Sequence, residues 1–301
     1  TKIYFWTCDF SKNSGEGILA NLFIKKYSKN KKNISFLNIN TNSKDKKKKF
    51  DTTYNKYIFP FLGVINLWVK FFQDKKICYI NYLPLWNFLI FLLLPPRTIL
   101  GPITGSINKK KIYSPLISLF ERISLIIINF RYKKVIFSHN FHILKYSLNK
   151  KKFYGNFILS DFNYKKKNLI KKFDFVIYYR NNSLFHKKYI FDIIDKLKFY
   201  NYSFAIIGDK INLKGIKNFG YISRKKAQKI ISQSRFTISN PENLYSFFVQ
   251  DCLANHLTVF YNVYFKKFNS MKTKKLVPIS FNSTKKDLKI ILNKTKKTKY
   301  F

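Results

Sequence analysis

Short apolar runs rich in β-formers alternate along this chain with longer segments whose apolar residues recur at helical spacing. Ile3 to Cys8 is such a run; a polar stretch from Asp9 to Gly17 follows it, and Ile18, Leu19, Leu22 and Phe23 then fall on one helical face. The same order recurs. Ile34 to Leu37 predicts a strand, Phe61 to Phe72 a helix, Ile77 to Asn81 a strand ahead of another apolar helix, and Thr98 to Leu100 and Val135 to Ser138 two further buried strands. Between Lys150 and Lys172 the pattern lapses into Lys, Asn and Tyr, and at Phe173 it restarts. Strand Phe173 to Tyr179, loop Arg180 to Lys188, helix Tyr189 to Leu197 and strand Phe204 to Gly208 open the second half. The run Phe219 to Ile222, a helix with Ala227, Ile230 and Ile231, strand Phe236 to Ser239, loop Asn240 to Tyr245, helix Ser246 to Asn255 and strand Leu257 to Tyr261 complete it. The tail from Lys285 keeps Leu288, Ile290, Ile291 and Leu292, the pattern of a docked helix.

Strands that are apolar throughout, separated by helices, belong to parallel sheets covered on both faces. The expected fold class is therefore α/β: two Rossmann-like, doubly wound domains, 1–160 and 161–301, facing each other across a cleft. Ligands of such sheets collect at the carboxyl ends of strands where the strand order reverses.

Composition narrows the function. The chain has 301 residues, 46% of them hydrophobic, enough to build buried cores. Its formal charge is +44, from 58 Lys plus Arg against 14 Asp plus Glu, which draws it toward polyanions: nucleic acid, anionic lipid or nucleotide-linked substrates. Abundant Lys, Asn, Ile, Phe and Tyr point to an AT-rich coding sequence, but three Glu among dozens of Lys point to selection for a positive surface as well. Cys8, Cys78 and Cys252 are odd in number and widely spaced, so no disulfide framework or zinc site is predicted. The stretch Leu83 to Pro96 is interrupted by Asn87 and is shorter than the ~20 residues that a membrane-spanning helix needs. Thr1 to Phe5 reads as a strand and not as a signal peptide, and the expected location is cytoplasmic.

The richest motif runs from Gly220-Tyr221-Ile222-Ser223-Arg224-Lys225 to Tyr261, through Ser239-Asn240-Pro241-Glu242-Asn243-Leu244-Tyr245-Ser246 and Asp251-Cys252-Leu253-Ala254-Asn255-His256-Leu257-Thr258-Val259. It resembles the C-terminal half of group-1, family-4-like glycosyltransferases of GT-B fold. There a glycine turn and helix precede a strand ending in a Pro-containing acidic loop, then a helix with an E-A-m-A-x-G-x-P-V pattern. Asp251 stands at that pattern's Glu, one residue further from Glu242 than usual, and His256 and Thr258 replace its Gly and Pro, as in a divergent subfamily. The resemblance implies that Glu242 lies near the transferred sugar and Asp251 on the ribose, with Tyr245, Ser246 and Gly208 also on the donor.

Val176-Ile177-Tyr178-Tyr179-Arg180, followed by His186-Lys187-Lys188, is similar to the strand, Arg and Lys with which the family grips the donor diphosphate. The chemistry holds by itself, because an Arg fork plus an ammonium neutralises a pyrophosphate without a metal. Helix N-terminal amides at Ser246 and Phe247 can add to it. Arg180 is one of six arginines and follows a buried strand.

In the first half, Gly15, Glu16 and Gly17 bridge the first strand and helix, and Thr104 lies in a second glycine turn, Gly101 to Gly105. All four are placed on the acceptor side. No third glycine completes a dinucleotide fingerprint. His139 and His142 have no carboxylate near them in sequence and stay outside the catalytic set. No Ser-His-Asp order, Walker loop or H-E-x-x-H occurs.

The expected function is transfer of a sugar, with retention of configuration, from a nucleotide-sugar donor to a glycan or lipid-linked acceptor in cell-surface polysaccharide synthesis, lipopolysaccharide included. Arg180, Lys187 and Glu242 would be catalytic, with no cofactor and no metal. Lysine runs such as Lys109 to Lys111, ahead of the apolar segment Ile112 to Phe130, would add peripheral contact with an anionic inner membrane face at about 1 kcal/mol per residue. No specific nucleic-acid partner is expected, since no reader motif accompanies the charge. The alternative is a non-enzymatic basic protein that binds anionic lipid or RNA.

Overall fold

A computed structural model of the protein describes residues 2–9, 15–27, 34–37, 59–81, 83–104, 115–155, 170–181, 184–241, 244, 246–268, 273–280 and 282–297. The chain divides into two compact units, Thr1–Ile158 and Leu159–Phe301.

Unit 1 runs β1 (Ile3–Thr7), α1 (Gly15–Tyr27), β2 (Ile34–Phe36), α2 (Phe59–Phe72), β3 (Lys76–Ile80), α3 (Phe88–Leu93), β4 (Ile99–Leu100), α4 (Pro115–Arg131), β5 (Val135–Ile136), α5 (Phe141–Lys145) and β6 (Phe153–Tyr154). The sheet order is β2-β1-β3-β4, all parallel. Successive residues of a strand face opposite sides. In β1, Phe5 joins Ala20, Phe23 and Ile24 under α1, while Trp6 faces the other way and joins Val64, Leu67, Ile90, Phe91 and Ile128 beneath α2, α3 and α4. Trp6 stacks on Tyr79 at 5.0 Å and 11°. On its other side α2 passes so close that a Cβ on Gly63 would overlap the indole. A parallel ladder of β5 and β6 meets the sheet through bridges at Pro84–Thr104 and Ile103–Phe137.

Unit 2 runs β7 (Phe173–Tyr179), α6 (Leu184–Lys198), β8 (Phe204–Gly208), β9 (Ile216–Asn218), α7 (Arg224–Ser232), β10 (Ser234–Ile238), α8 (Phe247–Ala254), β11 (Thr258–Asn262), a 3₁₀ helix (Val263–Phe268), β12 (Leu276–Ile279) and α9 (Lys285–Lys297). The order β12-β11-β10-β7-β8-β9 is parallel throughout. Successive crossovers leave β7 first toward β8 and β9, then toward β10, β11 and β12. That is the Rossmann order, and its switch point lies between β7 and β10. Phe175, Phe204, Phe236 and Phe260 from four adjacent strands pack ring against ring on one face, and α9 docks there through Leu288 and Leu292.

The α/β class read from the sequence holds, with local differences. β6 falls in the stretch read as a lapse in the pattern, and β12 in a stretch to which no element was assigned; each is short and half covered, so neither shows the continuous apolar run that marks a central strand. α1 begins at Gly15, so Gly15, Glu16 and Gly17 form its first turn and not a loop; the Asn21 amide holds the Gly17 carbonyl at 2.7 Å. α6 begins at Leu184, which puts Lys187 inside the helix. No helix among the described residues is long and apolar enough to cross a membrane.

Candidate functional site

The carboxyl edge of the unit 2 sheet carries the polar cluster. β8 ends at Gly208, whose φ is +104°, and a Cβ there would overlap the Tyr179 carbonyl. Only glycine lets the end of β8 press this closely on the end of β7. Its N–H donates to the Gly220 carbonyl at 3.0 Å, and the next N–H, of Asp209, donates to the Tyr179 carbonyl at 3.0 Å. The Asp209 carboxylate then clamps two loops, accepting the Asn181 N–H at 2.7 Å and the Tyr221 hydroxyl at 2.8 Å. Desolvation and this bond to Asp209 push the Tyr221 phenol up to about 12, so it stays protonated and donating.

Arg180 leaves the end of β7 into solvent. Its Nε donates to the Tyr178 hydroxyl at 2.7 Å, and the guanidinium carbon lies 5.2 Å from that ring's centre. Tyr178 packs in turn on Phe248 of α8 at 5.6 Å. One turn along α8, Asp251 is buried, and both of its oxygens are taken by Arg224, the first residue of α7, at 2.7 Å and 3.1 Å. The hydrogen bond to Asp251 raises the affinity of Arg224 for its proton. Arg180 and Asp251 therefore lie at the same end of one sheet, joined through Tyr178 and Phe248. The carboxylate read as ribose-binding is oriented by an arginine of the preceding helix, and its remaining lone pairs are what it can offer a hydroxyl.

Three helices begin at this edge, because α6, α7 and α8 each follow a strand that ends there. None has an acidic residue in its first turn. Ser223 caps α7 by accepting from the Lys226 N–H, and Ser246 caps α8 by accepting from the Val249 N–H at 3.3 Å. Lys187 sits in the first turn of α6, exposed, its ammonium 5.8 Å from the Phe191 ring, which packs on Tyr179. Three helix N-termini with two arginines and several lysines, and with the nearby carboxylates Asp209 and Asp251 already hydrogen-bonded, make this edge favourable for an anion such as a diphosphate. Ser246 is committed to its own helix as a cap. Glu242 and Tyr245 lie outside the described residues.

The glycine that the resemblance leads one to expect at the end of α8 is His256, and its φ is +61°. The His256 N–H bonds the Leu253 carbonyl and the Leu257 N–H bonds the Cys252 carbonyl, at 3.0 Å each, closing the helix as a Schellman motif around a left-handed residue. His256 thus holds the left-handed backbone that glycine favours.

Breaking the Arg224–Asp251 pair has an asymmetric cost. Asp251 is 9% exposed at its side chain and Arg224 41%, so Arg224→Ala strands the more buried charge. The expected loss is about 2 kcal/mol, less than for a fully buried pair because water reaches the guanidinium, and Asp251→Asn should lose less. Urea denaturation of the two variants checks this; the reverse order would mean that the carboxylate is hydrated without its arginine.

In unit 1, Cys8 follows β1 at the corresponding edge, and its thiol is pushed well up by burial and then by the Glu16 and Asp9 carboxylates. Glu16 thus lies within electrostatic reach of the β1 end, and Gly15 is open, with no atom within 4 Å of where its Cβ would be. Thr104 donates its N–H to the Leu83 carbonyl at 2.9 Å, and its buried hydroxyl has no hydrogen-bond partner among the described residues. The histidines prove to have a carboxylate near them after all: Glu121 of α4 comes within 4.0 Å of His142 Nδ1. Glu121 is taken, however, by Lys145 at 2.6 Å and by the Tyr146 hydroxyl, and burial holds His142 neutral, as befits a cluster that ties α5 to α4. Among the described residues no group of three or more His, Cys, Asp or Glu could hold a metal ion.

The sequence reading did not assign Tyr178, Asp209, Tyr221, Arg224 or Phe248. For Arg224 a signal existed, as an arginine in a lysine-dominated chain directly after a capping serine. For Asp209, Tyr221 and Phe248 there was none, since each acts through a contact remote in sequence, and for Tyr178 the nearness to Arg180 does not by itself tell a bonded hydroxyl from a strand side chain.

No family model matches the chain, and no curated sequence does. Solved structures do. A UDP-GlcNAc 2-epimerase of Methanocaldococcus jannaschii, crystallised with UDP-GlcNAc and UDP, is similar over 97% of this chain and 92% of its own, at TM-score 0.58 and 9% identity. Anabaena Alr3699/HepE, in complex with UDP-glucose, matches over 99% and 90%, at TM-score 0.55 and 11% identity. T4 phage BGT, in complex with its UDP-glucose substrate, matches over 99% and 90%, at TM-score 0.51 and 14% identity. At such identities the likeness concerns the fold, the two-Rossmann GT-B architecture.

Proposed function

We propose that the protein is a glycosyltransferase that takes its sugar from a nucleotide-diphosphate donor bound at the carboxyl edge of the unit 2 sheet. The observation that carries this reading is the cluster at the β7/β10 switch point, where Arg180, three helix N-termini and the Arg224-oriented Asp251 meet on one edge. The fold is one in which the neighbours above hold UDP-sugars.

In this reading Arg180 and Lys187 receive the diphosphate, Asp251 a ribose hydroxyl, and the tyrosines and Phe248 offer ring faces to the base. Gly208 serves the donor by seating the ends of β7 and β8 together beneath it, and Ser246 fixes the α8 amides toward it. Glu242 is assigned beside the sugar by the resemblance to group-1, family-4-like enzymes, which also implies retention of configuration, and Tyr245 is assigned to the donor. As the glycosidic bond to the diphosphate breaks, negative charge grows on the leaving oxygen, and guanidinium and ammonium stabilise it without a metal. Gly15, Glu16, Gly17 and Thr104 are assigned to the acceptor, a glycan or lipid-linked sugar of cell-surface polysaccharide.

Millimolar UDP or GDP should raise the melting temperature, by about 2.7 kcal/mol of stabilisation at a hundredfold excess over Kd. Inorganic polyphosphate should not reproduce the shift in moderate salt. A response to every polyanion that vanishes steeply with salt would instead mark a charge-driven binder of lipid or RNA. Since one neighbour is an epimerase, product analysis with UDP-GlcNAc and no acceptor decides between the chemistries: release of a 2-epimer would overturn transfer.

A further inference from the structure

Helix α4 shows apolar side chains to solvent as well as to the core, where Leu125 and Ile127 pack partly buried. Toward the core it turns Glu121, Ser124 and Ile128, whereas Leu116, Leu119, Ile126 and Phe130 stand outward, 58%, 52%, 58% and 85% exposed. Its neighbours repeat the pattern. On α2, Gly63, Val64 and Leu67 are buried, and Phe61, Ile65, Val69 and Phe72 form an outward stripe at helical spacing, Phe72 being 77% exposed. On α3, Ile90 and Phe91 are buried while Leu89, Leu92 and Leu93 are exposed.

The three helices lie side by side over one face of the unit 1 sheet. The Trp68 indole N–H of α2 donates to the Leu93 carbonyl of α3 at 2.8 Å, Phe88 of α3 packs on Phe120 of α4 at 5.2 Å, and Arg131 of α4 donates to the Leu94 carbonyl at 2.6 Å. Their outward stripes thus form one apolar surface. Scattered exposed leucines need no explanation, but contiguous ones across three helices do.

Charge selects the occupant. Apart from the buried Glu121, α2, α3 and α4 carry no carboxylate; on or just beyond them lie exposed Arg122, Lys133, Lys134, Lys75 and Lys76 against one exposed carboxylate, Asp74. A surface of aliphatic and aromatic side chains bordered by cations, in a chain of +44, matches a bilayer with anionic headgroups: rings and aliphatic chains enter the acyl boundary and ammonium groups meet phosphates. We propose that the outward face of α2, α3 and α4 docks the protein on an anionic lipid surface. The inference deepens the lipid-linked acceptor in the function proposed above, because docking would hold unit 1 at the plane where such an acceptor lies. The segment with Lys109 to Lys111 is outside the described residues and is not needed for it.

The test is co-sedimentation of the full chain with vesicles of phosphatidylcholine alone or with phosphatidylglycerol added, in the absence of nucleotide and sugar. Binding should require phosphatidylglycerol and persist in part at physiological salt. The triple variant Ile65→Ser, Phe72→Ser, Phe130→Ser should weaken it on the order of tenfold or more, because it removes exposed apolar groups that would be buried in lipid. Its melting temperature should not fall, as those side chains touch solvent. The proposal is overturned if the chain ignores both vesicles, if it binds them equally, or if the variant binds as well as the parent. It is also overturned if the same substitutions dissolve a dimer seen without lipid, in which case a second copy covers the face. The UDP shift is measured without vesicles, so either reading can fail alone.

Discussion

Arg180→Ala should lower the transfer rate by two to three orders of magnitude, about the effect of removing one preorganised donor to a developing oxyanion. The side chain is solvent-exposed beyond its bond to Tyr178, so stability should change by no more than about 0.5 kcal/mol. Arg180→Lys should recover only part of the rate, because an ammonium cannot offer two parallel N–H groups to a diphosphate. Initial rates with a UDP-sugar, set beside thermal melts of the same preparations, separate chemistry from folding. A variant that turns over at the parental rate would remove the guanidinium from the mechanism.

Gly208→Ala should cost stability as well as donor binding. At φ +104° an alanine is strained, and its Cβ would be driven into the Tyr179 carbonyl, a backbone atom fixed by its bond from Asp209. Strain and overlap together should amount to about 3 kcal/mol. For a unit of this size that is a fall in melting temperature of roughly 10 °C. Gly215→Ala is the control: its φ is +79° but its Cβ would meet nothing within 4 Å, so only the cost of the left-handed backbone, about 1 kcal/mol, should appear. Equal losses in the two variants would show that the ends of β7 and β8 part readily.

Much of the frame was legible because its strands are buried on both faces. β7, β8, β10 and β11 appear in the sequence as short runs rich in aromatic and β-branched residues, and each is a strand in the structure. Arg180 and Asp251 were legible as candidates because each sits at a fixed offset from such a run or from the helix after it. What sequence offsets do not convey is partnership. Arg224 and Asp251 are 27 residues apart, Asp209 and Asn181 28, and Glu121 and Lys145 24, and each pair meets only because helices and loops are stacked on a folded sheet.

Along the chain, the amino-acid order by itself determined the alternation of strands and helices, the restart at Phe173, the excess of cations and the arginine after a buried strand. Tertiary packing decided the rest: that Arg224 orients Asp251, that His256 takes a glycine's backbone, and that α4 hides its glutamate and shows its leucines. The reason is physical. Periodicity divides a helix into two faces, but which face is covered depends on what comes to lie against it, and that is settled only when distant segments pack together.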